Sequence, residues 1–217
     1  MQHVSRLHSD IQRLTRRLEA DPHNPTLYIQ RGMLSFQLGD VAQALADFDR
    51  AAHLDPALTP SLWQRGIAYY YAGRFEEGAR QFEIDLTVNG HDVEETVWRY
   101  LCQAQLQGVP AARADLLPVG RDPRPVMGWV YQLFAGTCDA EAVIAQHRDV
   151  GRRERFYSYL YVGLYYEAAH AEQRARQHIT PAAEMQVWED YMGWVARVHQ
   201  HLRGWAPSPP GRGFNAG

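Results

Sequence analysis

Few residues of this chain are spaced for chemistry. Ten histidines are its largest stock of possible metal ligands, but none forms the HExxH pair that sets two imidazoles on one helix face. His199 and His201 point to different faces of a helix, so no metal site is expected. Glu76 and Glu77 are adjacent carboxylates for which acid–base work is one reading. The other is that they open a helix, where carboxylates favour the positive end of the dipole. All 22 basic residues are arginine, which removes Schiff-base chemistry and the phosphate-loop lysine together. There is no serine elbow and no glycine-rich phosphate loop. Cys102 and Cys138 lie far apart and neither belongs to a CxxC pair, so a disulfide framework or thiolate zinc site is not expected. The residues point to a non-enzymatic protein with no cofactor.

The elements that must position these residues are bounded by composition. A chain of 217 residues, 46% of them hydrophobic, holds one compact core or a stack of about five two-helix repeats. Its net charge of −3 offers no electrostatic reason to bind nucleic acid or acidic membrane surfaces. No stretch approaches the roughly 18 apolar residues of a membrane span, so membrane insertion is not expected. The start, Met1 to Asp10, carries His3, Arg6, His8 and Asp10 in place of an apolar signal core. A soluble protein follows, cytoplasmic by default and plastid-located if a transit peptide precedes this sequence.

Internal periodicity gives the architecture. The segment YIQRGMLSFQLGDVAQALADFDRAAHLDP (28–56) aligns without a gap on LWQRGIAYYYAGRFEEGARQFEIDL (62–86), matching Arg31 to Arg65, Gly32 to Gly66, Gly39 to Gly73 and Phe48 to Phe82. The offset is the thirty-four-residue period of tetratricopeptide (TPR) units. Gly32 and Gly66 let the two helices of a pair close together, with Ala44 and Ala51 making the same contact from the second helix. Gly39 and Gly73 end the first helix, and Asp40 caps the next. Pro56 closes the second helix, and Phe48 and Phe82 fill the seam between pairs. A lone hairpin cannot bury its apolar face, so the rest of the chain should also be helical.

That remainder is less regular. Asp92 and Glu95 resemble a capping box opening a helix that ends at Gly108, with Pro110 in the first turn of its partner. A fourth pair runs from Pro125 through VMGWVYQLFAG to a shorter helix capped by Asp139, and VGRDPRPV is a rigid connector before it. From Phe156, YSYLYVGLYYEAAHAEQRARQHI returns to the repeat pattern with Gly163 in the packing position and Tyr166 and Ala175 in register. The expected fold is an all-α, TPR-type α-α superhelix of about five helix pairs. Its parts are a flanking helix in 1–24, the repeats in 25–181, a capping helix in 182–203 and a mobile Pro- and Gly-rich tail in 204–217.

The runs RGIAYYYAGR (65–74), VWRYLCQAQL (97–106) and YLYVGLYYEAA (159–169) carry a resemblance to the NlpI-like TPR proteins and their plant and algal plastid relatives, over roughly residues 25–180. It implies a homodimeric scaffold that acts as an adaptor for a tail-specific protease and organises cell-wall hydrolases. No lipid-attachment cysteine follows an apolar N-terminal segment, so membrane anchoring is not implied. The RDPRP segment is closer to the photosynthetic relatives. In such folds the first helices line the concave face.

The candidate partner-binding residues are therefore Ile29, Met33, Phe36, Trp63, Ile67 and Tyr70, either a groove for a protein segment or helix, or mutual core packing in a tightly curved stack. Ile29 and Met33 stand where the chaperone-tail clamp needs Lys and Asn, which disfavours chaperone C-termini as ligands. Tyr157, Tyr159, Tyr161, Tyr165 and Tyr166 cannot all face one core. Tyr157, Tyr161 and Tyr165 are candidates for an oligomer interface, with inter-repeat packing and exposed hydroxyls as the alternative. Arg152, Arg153 and Arg155, and Arg121 with Arg124, either dock an acidic partner or pair with Glu94, Glu95 or Glu167. Two functions follow: an adaptor binding partner segments, or a structural subunit of a permanent oligomer.

Overall fold

The structure is a computed structural model that describes residues 2–90, 92–120 and 122–205, with side chains from Val4 onward. The tail beyond Trp205 and Arg121 of the connector lie outside the described residues. Every regular element among those described is helical. In chain order they are α1 (Gln2–Ala20), α2 (Pro25–Gln37), α3 (Val41–Leu54), a 3-10 turn (Pro56–Ser61), α4 (Trp63–Tyr71), α5 (Phe75–Asp85), α6 (Val93–Gln107), α7 (Val109–Ala114), α8 (Pro125–Ala135), α9 (Ala140–His147), α10 (Arg152–Ala168), α11 (Glu172–Glu184) and α12 (Tyr191–Leu202). Five consecutive pairs, α2/α3 through α10/α11, are flanked by α1 and α12.

Local signals start and stop these helices. Asn24, Asp40, Asp92 and Asp139 each cap a helix by accepting a backbone N–H from its first turn, satisfying a donor that has no intrahelical partner. Gly108 ends α6 at φ 86°, ψ 159°, a backbone conformation that only glycine adopts at low cost. Within pairs the close approach is tight. A Cβ on Gly32 would sit 2.9 Å from the Phe48 ring, one on Gly66 2.6 Å from the Phe82 ring, and one on Gly163 2.3 Å from Ile179. The large partner lies sixteen residues on in each case, so α10/α11 has the internal register of the first two pairs.

A ladder of arginines ties successive pairs together. Arg31 on α2 forks onto both carboxylate oxygens of Asp47 at 2.8 and 2.7 Å and also reaches Thr15 on α1 at 3.2 Å. Arg65 on α4 bonds Gln81 at 3.1 Å and Asp49 on the preceding α3 at 2.8 Å. Arg99 on α6 repeats the arrangement, with Asp115 at 2.7 Å and Glu83 on the preceding α5 at 3.0 Å. Each guanidinium thus bonds a side chain sixteen residues ahead and another sixteen residues behind. The third pair, worn at its glycine positions, keeps this polar register. Beyond it the ladder stops: Val162 precedes Gly163 where arginine precedes Gly32 and Gly66.

One continuous apolar core runs from Phe36 to Trp205, while Leu14, Leu18 and Leu27 form a separate small cluster under α1. The C-terminal region departs from expectation. The helix expected over 182–203 is broken: α11 runs on through Pro181 to Glu184, the chain turns, and α12 begins at Tyr191 with Asp190 as its cap. Gly193 makes the turn possible, because a Cβ there would come 1.9 Å from the Val187 carbonyl oxygen. Beyond its packing on α11, α12 reaches back to α2 and α4 at the start of the stack.

Candidate functional site

The first helices α2, α4 and α10 face α12, and aromatic and ionic groups hold it there. At its N-terminus the Tyr191 ring stacks on Phe36 of α2, centroids 5.7 Å apart, and meets Trp63 of α4 edge-on at 5.0 Å. Such pairs contribute about 0.5–1.5 kcal/mol beyond their buried area. Asp190 caps α12 through Met192 N at 3.0 Å, and its other oxygen accepts from Tyr157 at 2.7 Å and Arg153 at 2.9 Å, both on α10. Toward the C-terminus the buried His199 places Nδ1 2.9 Å from the Tyr71 hydroxyl and Nε2 2.7 Å from Glu167. Arg203 donates to the same carboxylate at 2.8 Å and lies over the Tyr71 ring. Burial works against ionisation of Glu167, but His199 and Arg203 outweigh it and hold the carboxyl below its ordinary range.

The sequence-selected residues divide across this face. Phe36, Ile67 and Tyr70 are 0%, 1% and 2% exposed, whereas Ile29, Met33 and Trp63 are half-buried against the core. Phe36 and Trp63 touch α12 directly. Tyr70 turns inward onto Phe75 and Trp98, and its neighbour Tyr71 meets α12 instead. Tyr71 lies four residues beyond Ile67 and eight beyond Trp63, so the helical period marked it for the same face.

Tyr157 and Tyr161, considered for an oligomer interface, are 2% and 0% exposed within this one chain. Their rings stack at 6.1 Å, Tyr157 donates to Asp190, and Tyr161 donates to Glu94 at 2.6 Å. Both side chains thus pack within the chain, with their hydroxyls held by Asp190 and Glu94 instead of facing solvent. Tyr165 is half-buried on Phe134, and its hydroxyl accepts from Arg113 at 3.4 Å. The basic run pairs with the turn before α12: Arg152 with Glu189 at 2.6 Å and Arg153 with Asp190. Arg124 is held by Glu94 and by Asp122, whose oxygens lie 2.8 and 2.9 Å away.

Beside the N-terminus of α12 a cleft of about 530 Å³ opens between α4, α6, α10 and the turn preceding α12. Five carboxylates and two arginines line it, with Trp63, Trp98, Tyr157 and Tyr191 among its aromatic walls. Burial pushes the Glu94 carboxyl up despite Arg124 and the Tyr161 hydroxyl. Glu95 takes only half of a capping box. Its backbone N–H donates to Asp92, but its side chain does not return the bond; Oε1 accepts from Asn89 at 3.1 Å. Oε2 is buried with no hydrogen-bond partner among the described residues, and burial moves the carboxyl to about 7. Sequence reasoning saw Glu95 as a cap and missed both the cleft and the residues that seat α12. The placement of Tyr191, His199 and Arg203 depends on a chain reversal for which the local pattern carries no signal.

Fold and site together define an all-α helical-repeat protein whose first-helix face carries a helix of its own chain. No family model matches the sequence. It is similar to Protein SGT1 homolog of Bos taurus, 28% identical over 98 residues that make up 45% of this chain and 29% of that protein. It is also similar to RNA polymerase II-associated protein 3 of Homo sapiens, 30% identical over 82 residues, 38% of this chain and 12% of that protein. The matches thus span under a third of either relative's length. No helix among the described residues is long and apolar enough to cross a membrane.

Proposed function

We propose that the protein is a non-enzymatic scaffold of the TPR type, an adaptor that holds segments of other proteins on the part of the first-helix face that α12 leaves open, beside Trp63. The observation that carries this reading is the seating of α12. An aromatic anchor, Tyr191, enters between Phe36 and Trp63, and buried polar contacts follow along the helix. This is how an amphipathic helix is recognised in a groove, and α12 serves as an internal example of the ligand. Similarity to a protein named for its association with RNA polymerase II supports a role in protein assemblies without naming the partner here. The alternative, a permanent oligomer built on the α10 tyrosines, has less support, because Tyr157 and Tyr161 bond within the chain.

Trp63→Ala tests the reading. It removes the edge-on partner of Tyr191 and one wall of the open cleft, and weakens capture of partner proteins from host extract while the scattering mass stays constant. An unchanged capture profile contradicts the scaffold role.

A further inference from the structure

Three residues lining the cleft beside α12 keep a buried polar atom without a partner among the described residues, Glu95 Oε2, Trp98 Nε1 and the Tyr191 hydroxyl, and of these Glu95 is the carboxylate. Glu94 is bound by Arg124 and Tyr161, Asp190 by Arg153 and Tyr157, and Glu189 by Arg152. The two arginines lining the cleft are thereby already paired. Glu95 is 6% exposed, lines the same space and keeps Oε2 without a partner. Burying a carboxylate oxygen unsatisfied is costly, and a ligand able to reach it recovers that cost on binding. Among the described residues no group of three His, Cys, Asp or Glu side chains is placed to hold a metal ion. The surrounding walls are aromatic: Trp98 is 1% exposed, Trp63 half-buried, and Tyr191 leans on Trp63.

From this juxtaposition we infer that the cleft is a subsite for an arginine side chain of a bound partner segment, its guanidinium donating to Glu95 Oε2 and its plane and alkyl stem lying against the half-buried indole of Trp63. Charge and shape both select it. The excess of carboxylates attracts a cation, the free Glu95 oxygen and the Tyr191 hydroxyl can each accept an N–H, and a flat, weakly hydrated guanidinium stacks on aromatic faces where an ammonium loses more hydration. The inference rests on the scaffold reading and deepens it, because it adds a charged specificity element next to the apolar seat of α12. A segment crossing this face would carry an apolar residue toward Trp63 and an arginine toward Glu95.

The test uses the full chain labelled with nitrogen-15, with the indole N–H signals of Trp63 and Trp98 as reporters. Acetyl-leucyl-arginyl-leucine amide is titrated against its citrulline counterpart, which keeps size and hydrogen-bonding shape but lacks the charge. The expected result is a saturable shift of both signals, with the citrulline peptide at least tenfold weaker. In Glu95→Gln, which removes a buried charge and should fold at least as well, the two peptides become equal. Equal response of the wild type to both peptides, or an arginine preference that survives in Glu95→Gln, overturns the subsite. The two readings fail separately, because unchanged capture by Trp63→Ala contradicts the scaffold role whatever the peptides do.

Discussion

Two sets of buried charge occur in the helical stack, the arginine ladder and the carboxylates at the junction of α5 and α6, and the protein treats them oppositely. Along the ladder, Asp47 is 2% exposed and fully engaged by the fork of Arg31, and Arg99 is matched to Asp115 and Glu83 on either side. At the junction of α5 and α6, Asp85 and Glu95 are 0% and 6% exposed, bonded only to the neutral Gln81 and Asn89, and each keeps one oxygen unpartnered. The ladder carboxylates hold adjacent repeats in register. Of the junction pair Glu95 lines the cleft and Asp85 is buried away from it, and the fold bears the cost of both.

The largest effect is expected from breaking the ladder. Asp47→Ala strands the Arg31 guanidinium, only 17% exposed, beside the α2/α3 seam. Removing one member of a buried pair leaves an uncompensated charge. Thr15 and the partial exposure of Arg31 soften the loss to about 2–4 kcal/mol, a drop in melting temperature of roughly 5–15 °C for a chain of this size. Calorimetry measures it. A loss below about 1 kcal/mol would mean that Arg31 finds solvent freely and that the ladder contributes little to register.

The glycine and phenylalanine matches at Gly32/Phe48 and Gly66/Phe82 were legible because they repeat at a fixed period, and the close Cβ approaches explain why. Arg31 and Arg65 belonged to the same alignment, and Arg99 continues it at the same spacing; extending the period one step would have placed the third pair in register. Glu95 was misassigned for a physical reason. A carboxylate three residues after Asp92 fits a capping box, and only the competing bond from Asn89 diverts it into the cleft. Nothing local announces that Tyr191 returns to Phe36, since the contact spans most of the chain and depends on the turn at Gly193.

The junction carboxylates predict a smaller effect of opposite sign. Burial moves Asp85 and Glu95 to about 7, from ordinary values near 4. Between about pH 4 and pH 7 the folded protein therefore holds protons that the unfolded chain has released, so the two groups make stability fall as pH rises through that window. Above pH 7 the full penalty is present. Asp85→Asn removes it and keeps a hydrogen-bonding group beside Gln81. The variant is expected to be more stable than the wild type by about 1–3 kcal/mol at pH 8 and nearly equal at about pH 4, the lower end of that window. Urea midpoints at the two pH values check this, and a stabilisation of the same size at both would assign the gain to packing instead of charge. Glu95→Gln should follow the same sign with a smaller gain.

The smallest effect belongs to a third kind of charge, the surface pair that opens α5. Arg74 and Glu77 meet at 2.9 Å with both side chains nearly half exposed, and Arg74 also lies over the Tyr69 ring at 4.5 Å. The Glu77 carboxyl is held below its ordinary range first by the free backbone N–H of its own helix turn and then by Arg74. Its stabilisation is present at neutral pH and lost as the carboxylate protonates in acid, the reverse of Asp85. Water and salt screen such a pair, so Glu77→Gln is expected to cost about 0.5 kcal/mol or less, and less still in 1 M salt. A loss approaching that of Asp47→Ala would show that exposure is not what separates these charges, and that the first turn of α5 matters to the stack in its own right.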